Sequence, residues 1–185
     1  MKTKQHQIHI CLLMAALFSR SGSTAQTVTK IAAGGSHSLF LKSDGSLWAM
    51  GQDSSDQLGD GNSGNTAEGT VRTNRPEQIV AGNVTTIVAG ASHSMFLKQD
   101  GSWWVMGDNT YGQLGDGIYS PDPYYSIGLL ANSPEIIVAS NVTAISGGSS
   151  ESFLKLTAVS GARGLTPGAD WVLAMTGGPT IRCQL

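Results

Sequence analysis

One stretch of this chain occurs twice, and that repeat constrains the fold more than any other feature. Residues 31–61 return closely matched at 87–117, a spacing of 56. Residues 132–143 copy 74–85 at a spacing of 58, so a third unit opens near Ile145. Repeats of this period are typical of arrays in which each unit is one supersecondary structure that packs on its neighbours.

Each unit is predicted to contain four short strands joined by glycine turns. In the first unit the strands are predicted at 28–32, 37–42, 46–50 and 76–80. Asp44-Gly45 separates the second strand from the third, and this dipeptide favours a tight hairpin because glycine accepts a positive φ. Pro76 begins the fourth strand, where no ladder donor is lost. Four strands per unit with glycine turns predict the blades of an all-β propeller.

Three motifs recur in one order and spacing. They are Gly-x-Ser-His-Ser at 34–38 and 90–94, Asp-Gly-Ser-x-Trp at 44–48 and 100–104, and Gly-x-x-x-x-x-Gln-Leu-Gly at 51–59 and 107–115. Residues 27–155 thereby resemble the RCC1 (regulator of chromosome condensation) repeat family. The resemblance implies a seven-bladed β-propeller. Because this chain holds two complete four-stranded blades and a fragment, we expect a partial RCC1-like propeller whose ring does not close.

The first 25 residues have the pattern of a secretory signal peptide. Lys2 and Lys4 give a basic start, residues 8–18 are mostly apolar, and Ser23-Thr-Ala25 offers a small-x-small cleavage site. The apolar run is too short for a stop-transfer helix. We therefore predict a secreted or periplasmic protein that begins near Gln26 and has no membrane segment after cleavage.

The charge of the mature chain argues against a nucleic-acid partner. Loss of residues 1–25 removes three basic and no acidic side chains, so the formal charge falls from −2 to −5. Binding to nucleic acid asks for clustered lysine and arginine, which this chain lacks. Cys183 is the one cysteine of residues 26–185, so no disulfide can form within them.

The residues that could carry chemistry are interpreted as structural. His37 and His93 lie between serines at the same place of each repeat, where a polar residue is expected to tie a strand to a loop, and Glu151 replaces them in the third unit. A catalytic site needs a converging set rather than a periodic residue. We also predict no metal and no cofactor, because the acidic loops lack the alternating spacing and closing glutamate of a calcium loop. Those loops contain Asp53, Asp56, Asp60, Asn62, Asp108, Asn109 and Asp116.

The aromatic residues divide into a predicted core and candidate surface contacts. Trp103 replaces Leu47 on the face of its strand opposite Trp104, and an exposed tryptophan there could anchor a partner, although packing under a loop is the alternative. Trp103, Tyr124 and Tyr125 are the candidate partner contacts. The predicted inter-blade core contains Phe40, Trp48, Phe96 and Trp104.

The leading functional hypothesis is a secreted, non-enzymatic module that presents propeller loops to an unknown protein partner. The resemblance fixes no partner, since the family ranges from nuclear exchange factors to secreted β-lactamase inhibitors. The alternatives are a hydrolase on a propeller scaffold and a truncated remnant of a longer propeller without a function of its own. Two blades and a fragment leave open apolar ends, so we also expect self-association.

The repeat pattern is lost after Lys155, and residues 156–185 are predicted to be an irregular tail. We interpret this tail as a frame-shifted reading of the third repeat. If the third base of each codon is read with the first two of the next, codons 156–161 permit Asp-Gly-Ser-Leu-Trp, and codons 170–172 force Leu-Gly at the template spacing. A diverged C-terminal cap is the alternative. The DNA past codon 185, read in the shifted frame, should contain further Gly-Gln-Leu-Gly repeats.

Overall fold

The described part of the chain is built of β-strands that are joined by turns and loops. The structure is a computed structural model that describes residues 25–62, 65–66, 69–70, 72–118, 130–157, 170–176 and 182–184. Its strands are β1 (Val28–Ala33), β2 (His37–Lys42), β3 (Leu47–Gln52), β4 (Asn65–Thr66), β5 (Gly69–Thr70), β6 (Arg72–Val80), β7 (Val84–Ala89), β8 (His93–Lys98), β9 (Trp103–Asp108), β10 (Leu130–Val138), β11 (Val142–Gly147), β12 (Glu151–Thr157), β13 (Asp170–Thr176) and β14 (Arg182–Gln184).

These strands form three four-stranded antiparallel sheets, which we call blades 1, 2 and 3. The strand orders are β1-β2-β3-β6, β7-β8-β9-β10 and β11-β12-β13-β14, and β4-β5 is a separate two-stranded ribbon. No sheet closes on itself among the described strands. The predicted all-β, partial propeller is therefore confirmed.

The blades meet along their first strands. β7 contacts both β1 and β2 of blade 1, and β11 contacts both β7 and β8 of blade 2. The outer strands β6 and β10 pair only with the third strand of their own sheet. Sheets that converge on their first strands and diverge outward have the radial arrangement of propeller blades.

The Asp-Gly-Ser-x-Trp motif builds the inner hairpin as predicted. Gly45 has φ 77°, and its carbonyl accepts a hydrogen bond from the Val84 amide, which joins the turn to blade 2. Asp44 accepts hydrogen bonds from the amide and the hydroxyl of Ser46, at 3.0 and 2.6 Å, and Ser46 Oγ accepts one from Trp48 Nε1 at 2.9 Å. Blade 2 repeats this network with Asp100, Ser102 and Trp104.

Two hydrophobic cores lie between neighbouring blades. The core between blades 1 and 2 contains Leu39, Leu41, Leu47, Ala49, Leu58, Val84, Ile87, Phe96 and Met106. The core between blades 2 and 3 contains Met95, Leu97, Trp103, Val105, Leu114, Ala131, Val142 and Leu154. Alternation along each strand sends one set of side chains to each neighbouring blade, so a central blade is covered on both faces.

The aromatic core prediction holds for blade 2 and needs a correction for blade 1. Phe96 is fully buried and its ring stacks on Trp104, with centroids 6.0 Å apart and 7° between the planes. Phe40 and Trp48 occupy the equivalent places in blade 1 but are only half-buried. Their face of blade 1 points away from blade 2, and no other described blade covers it.

Blade 3 also departs from the prediction, because the described structure adds β13 and β14 where an irregular tail was expected. β13 pairs with β12 in seven consecutive registers, from Glu151↔Thr176 to Thr157↔Asp170. This pairing supplies backbone partners to the edge of β12 that faces away from β11. The connection between these strands spans residues 158–169, whereas 43–46 and 99–102 suffice in the other blades. The Asp-Gly-Ser-x-Trp hairpin is therefore not rebuilt in blade 3.

Candidate functional site

Each repeated histidine joins its own blade to the next one. His37 is buried, and its Nε2 lies 2.8 Å from Ser94 Oγ of blade 2. Ser94 Oγ itself donates to the carbonyl of Gln57, at 2.8 Å. Because a hydroxyl has one hydrogen to donate, Ser94 must accept from His37, which places the histidine proton on Nε2. The His37 ring is thus a fixed donor across the interface rather than a free base.

His93 makes the same connection to blade 3. Its Nε2 lies 3.1 Å from Ser152 Oγ, and the ring is fully buried. A Cβ on Gly90 would collide with this ring, so the first glycine of Gly-x-Ser-His-Ser leaves room for the histidine. The predicted structural role is retained, but the bond joins neighbouring blades rather than a strand and a loop. Glu151, which replaces the histidine in blade 3, is exposed.

Burial keeps both histidines neutral at physiological pH. Desolvation lowers the pKa of His37 to about 4, and the nearby His93 adds to this effect. Desolvation also lowers the pKa of His93 to about 4, although Asp108 acts in the opposite direction. In the part of the chain that the structure describes, no group of three or more His, Cys, Asp or Glu side chains is arranged to hold a metal ion.

Trp103 requires a correction, because it does not lie on the surface. Its side chain is 0% exposed and packs in the core between blades 2 and 3. Trp103 pairs with Leu97 across the sheet, on the face that blade 3 covers. Its Nε1 has no hydrogen-bond partner among the described residues. Trp103 therefore cannot anchor a partner, and Tyr124 and Tyr125 lie outside the described residues.

The structure instead exposes two large side chains on the Gln-Leu-Gly loop of blade 2. Tyr111 is 48% exposed and Ile118 is 58% exposed. They replace Ser55 and Asn62 of the first repeat, so aligning the two repeats position by position could have found them. A shallow cleft of about 120 Å³ lies beside Ile118 and is lined by Asn109, Leu114, Asp116, Leu130, Ala131 and Glu135.

The side chain of Tyr111 is held on a braced loop. Its backbone amide donates to Gln113 Oε1 at 2.9 Å, and Gln113 is buried. Asn109 Oδ1 accepts from the Leu114 amide at 3.0 Å, which closes the same turn. Because little conformational freedom remains in such a loop, an exposed aromatic side chain on it can bind a partner at a low entropic cost.

A second exposed apolar surface is the outer face of blade 1, which we call the open face. Ile31 pairs with Phe40 across the sheet, and Phe40 pairs with Trp48. Lys42 Nζ lies 3.5 Å from the centre of the Trp48 ring. Ile31 is 74% exposed, whereas its counterpart Ile87, which blade 1 covers, is 7% exposed. The open face therefore has the composition of a covered face, but none of the described blades covers it.

None of the described residues forms a helix long and apolar enough to span a membrane.

Comparison with known proteins gives the same family for the repeats. A family model described as "Regulator of chromosome condensation (RCC1) repeat" matches residues 28–57 and 84–113, and a second model of the same description matches 44–97. These matches cover blade 1 and β7 to β9 of blade 2. They include the His37–Ser94 contact and His93, whereas Ser152 lies outside them.

Three sequence relatives with similar repeats are each much longer than this chain. The X-linked retinitis pigmentosa GTPase regulator homolog of Caenorhabditis elegans is 38% identical over 88 residues, which are 48% of this chain and 6% of the relative. The Protein RCC2 homolog of Danio rerio is 34% identical over 84 residues, or 44% of this chain and 16% of the relative. The human probable E3 ubiquitin-protein ligase HERC6 is 37% identical over 99 residues, or 52% and 9%.

Solved structures show the same fold. Human WBSCR16 matches with a TM-score of 0.62 at 18% identity, over 89% of this chain and 39% of that one. Prp20p of Saccharomyces cerevisiae matches with a TM-score of 0.61 at 20% identity, over 83% of this chain and 32% of that one. Residues 28–113 therefore belong to the RCC1 repeat family, and the described blades form part of a β-propeller.

Proposed function

We propose that this chain is a secreted, non-enzymatic module that binds another protein through the loop edge of blade 2. The observation that carries the proposal is the exposure of Tyr111 and Ile118 on a braced loop, beside a shallow cleft. Aromatic side chains at the centre of a small apolar patch are the usual anchors of protein interfaces. A protein partner fits this surface better than a small molecule, because the cleft is too small to enclose a drug-sized ligand.

The absence of enzymatic activity is proposed from the state of the two histidines. Both are buried. His37 donates its Nε2–H to Ser94 of the next blade, and His93 Nε2 lies 3.1 Å from Ser152 Oγ of the next blade. A general base must reach the proton that it removes from a substrate. Buried rings with a lowered pKa do not meet that requirement.

Structural relatives support a protein partner in general terms. Prp20p has binding properties to Gsp1p and histones, and yeast RCC1 forms a complex with Kap60. This chain covers about a third of the length of those proteins. The support therefore extends to protein binding by such propellers and not to the identity of the partner.

Site-specific photo-crosslinking tests the loop edge. A benzophenone amino acid replaces Tyr111 in one variant and Ser55, the equivalent loop residue of blade 1, in the control. We expect a discrete crosslinked species with one polypeptide from position 111 in the native secretion medium, and none from position 55. Equal adducts at both positions, or no adduct at position 111, would contradict the proposal.

Secretion is a separate part of the proposal and has its own measurement. The basic start, apolar run and small-x-small site of residues 1–25 support export. Sequencing the amino terminus of the native protein should give a start near Gln26 in the exported fraction. Recovery of the chain with Met1 intact would contradict export without affecting the binding surface.

The open face favours a second candidate, in which the chain is a segment of a longer propeller without an independent function. Ile31 is far more exposed than its counterpart Ile87, as expected when a neighbouring blade is missing. Blade faces in repeat proteins are stable when a neighbour buries them. Further RCC1 repeats in the adjoining nucleotide sequence, in either frame, would favour this second candidate.

A further inference from the structure

The Gln-Leu-Gly loops of blades 1 and 2 differ at one buried position. In blade 2 this position is Asn109, which uses both ends of its amide. Asn109 Oδ1 accepts a hydrogen bond from the Leu114 amide at 3.0 Å. Its Nδ2 donates to Asp116 Oδ1 and to the Ile118 carbonyl, both at 2.9 Å. A single NH₂ group thus satisfies two oxygen acceptors inside the loop.

Blade 1 has Asp53 at this position, in a segment that we call the Asp53 loop, residues 53–62. Asp53 Oδ1 accepts from the Leu58 amide at 2.8 Å, so the side chain is oriented as Asn109 is. Its other oxygen, Oδ2, takes the place of the Asn109 NH₂ group. Asp53 is 0% exposed, and Oδ2 has no hydrogen-bond partner among the described residues. An acceptor has therefore replaced the donor of blade 2.

The Asp53 loop retains counterparts of the two oxygens that accept from Asn109 Nδ2 in blade 2. Asp60 Oδ1 accepts from the Asn62 amide at 2.8 Å, as Asp116 Oδ1 accepts from the Ile118 amide at 2.7 Å. The two turns therefore share this hydrogen bond, and their glycines, Gly61 and Gly117, have φ 84° and 83°. The counterparts of the two acceptors are the Asp60 carboxylate and the Asn62 carbonyl. Together with Asp53 Oδ2, the Asp53 loop thus has three oxygen acceptors where blade 2 has one donor and two acceptors.

Further negative charge surrounds the Asp53 carboxylate. Burial raises the pKa of Asp53 to about 6, despite the hydrogen bond from Leu58. The negative charges of Asp60, Asp56 and Glu77 contribute to this increase in the pKa of Asp53. Asp56 is itself buried and has φ 58°, where blade 2 has a glycine. No positive charge of the described residues is among the groups that act on the Asp53 pKa. A buried carboxylate without a counter-charge is costly, so a bound cation would relieve this penalty.

We propose that the Asp53 loop binds one Ca²⁺ ion through Asp53 Oδ2, the Asp60 carboxylate and the Asn62 carbonyl. Carboxylate and backbone carbonyl oxygens are the ligands that Ca²⁺ prefers, and water completes its shell of six to eight oxygens. Because the protein contributes only two carboxylates, we expect a dissociation constant on the order of 10⁻⁴–10⁻³ M, as in extracellular calcium modules. The proposal does not depend on the binding surface of blade 2.

The chemical alternative is a proton in place of the metal. A protonated Asp53 would donate to Asp60 and would also replace the missing NH₂ group. The two alternatives differ in a measurable way, because a proton site takes up no calcium at neutral pH. The Asp53→Asn variant can be used to test both alternatives, since it reproduces the amide of blade 2. It should fold at least as well as the parent.

Equilibrium dialysis of the full chain against radioactive Ca²⁺, with and without EDTA, tests the site. We expect one ion per chain for the wild type at millimolar calcium, and at least about a tenfold loss of affinity in Asp53→Asn and in Asp60→Asn. In thermal melts, calcium should stabilise the wild type and leave Asp53→Asn unchanged. Unchanged calcium binding by Asp53→Asn, or no binding by the wild type, would overturn the proposal. Equal affinity for Mg²⁺ would overturn the assignment to Ca²⁺.

Discussion

Acidification from neutral pH to about 4 is expected to destabilise the stacked blades by several kcal/mol, because two buried histidines are neutral in the folded protein. An unfolded histidine gains its proton near pH 6.5, whereas His37 and His93 have a pKa of about 4. Between these values the unfolded chain binds more protons, so stability falls as the pH decreases. Each histidine contributes a loss of about 3 kcal/mol across this window.

Other groups change the size of this loss but not its sign. The pKa of Asp53 is raised to about 6 from an unfolded value of 3.8, so its protonation stabilises the fold as the pH decreases through the same window. The protonation of Asp53 therefore opposes the destabilisation that the two histidines cause. Asp44 and Asp100 have a lowered pKa because their Ser46 and Ser102 partners donate to the carboxylates. The stability that these two carboxylates contribute is lost only below their unfolded pKa. It therefore adds to the effect of the histidines only at lower pH.

Urea unfolding followed by tryptophan fluorescence at several pH values measures the effect. The free energy of unfolding should fall steeply between pH 6.5 and 4. His37→Asn should remove most of the net pH dependence, because Asp53 then offsets the remaining histidine, whereas Asp53→Asn should make it steeper because the opposing group is lost. A free energy of unfolding that is independent of pH in this window would contradict the buried, neutral histidines.

The second large effect is expected in the association state of the protein. We expect the chain to self-associate head to tail, with blade 3 of one copy on the open face of another. Covering Ile31 as Ile87 is covered would contribute about 1.5–3 kcal/mol from this one side chain. In the same contact Glu151 would meet Ser38, as His37 meets Ser94 and His93 meets Ser152 within the chain. A heterologous contact of this kind forms rings or open chains of copies.

Sedimentation velocity over a range of concentrations, with three variants, tests this contact. Ile31→Lys should shift the protein to a monomer, because it places a charge on the open face. Glu151→His should strengthen association by restoring the histidine of the other blades. Ile136→Lys is the matched control, since Ile136 is 49% exposed but lies on the outer strand of blade 2. A wild type that stays monomeric at all concentrations would contradict the prediction.

The repeat made the fold predictable, because each motif performs one local task. Asp44-Gly45 specifies the hairpin, and the alternation of side chains along β2 places Leu39 and Leu41 on one face and Phe40 on the other. These are interactions between residues close in sequence. The same pattern in the second unit then predicts a second blade with the same face exposed to its neighbour.

Features that depend on the neighbouring blade were harder to predict from the sequence. Trp103 and Trp104 have the same chemistry, and only the position of blade 3 decides that Trp103 is the fully buried one. Phe40 and Phe96 occupy identical motif positions but differ in burial because only blade 2 has a neighbour on that face. The Asp53 loop was recognised as acidic. The inference to a missing donor required the Asn109 hydrogen bonds of blade 2.

The frame-shift hypothesis for residues 156–185 stays a prediction. β13 and β14 show that this stretch can supply two strands to blade 3. The long connection 158–169 shows that it does so without the repeated hairpin. Both facts agree with either a shifted frame or a diverged cap, and the DNA sequence past codon 185 distinguishes them.

The most direct test of the stacked-blade account is the NMR titration of the histidine rings. His37 and His93 are the two histidines of residues 26–185, so their signals can be assigned by one substitution each. Burial between blades predicts neutral rings at pH 6, with the proton of His37 on Nε2, and a pKa of about 4 for both rings. Two rings that titrate near 6.5, as exposed histidines do, would contradict blades joined face to face through His37–Ser94 and His93–Ser152.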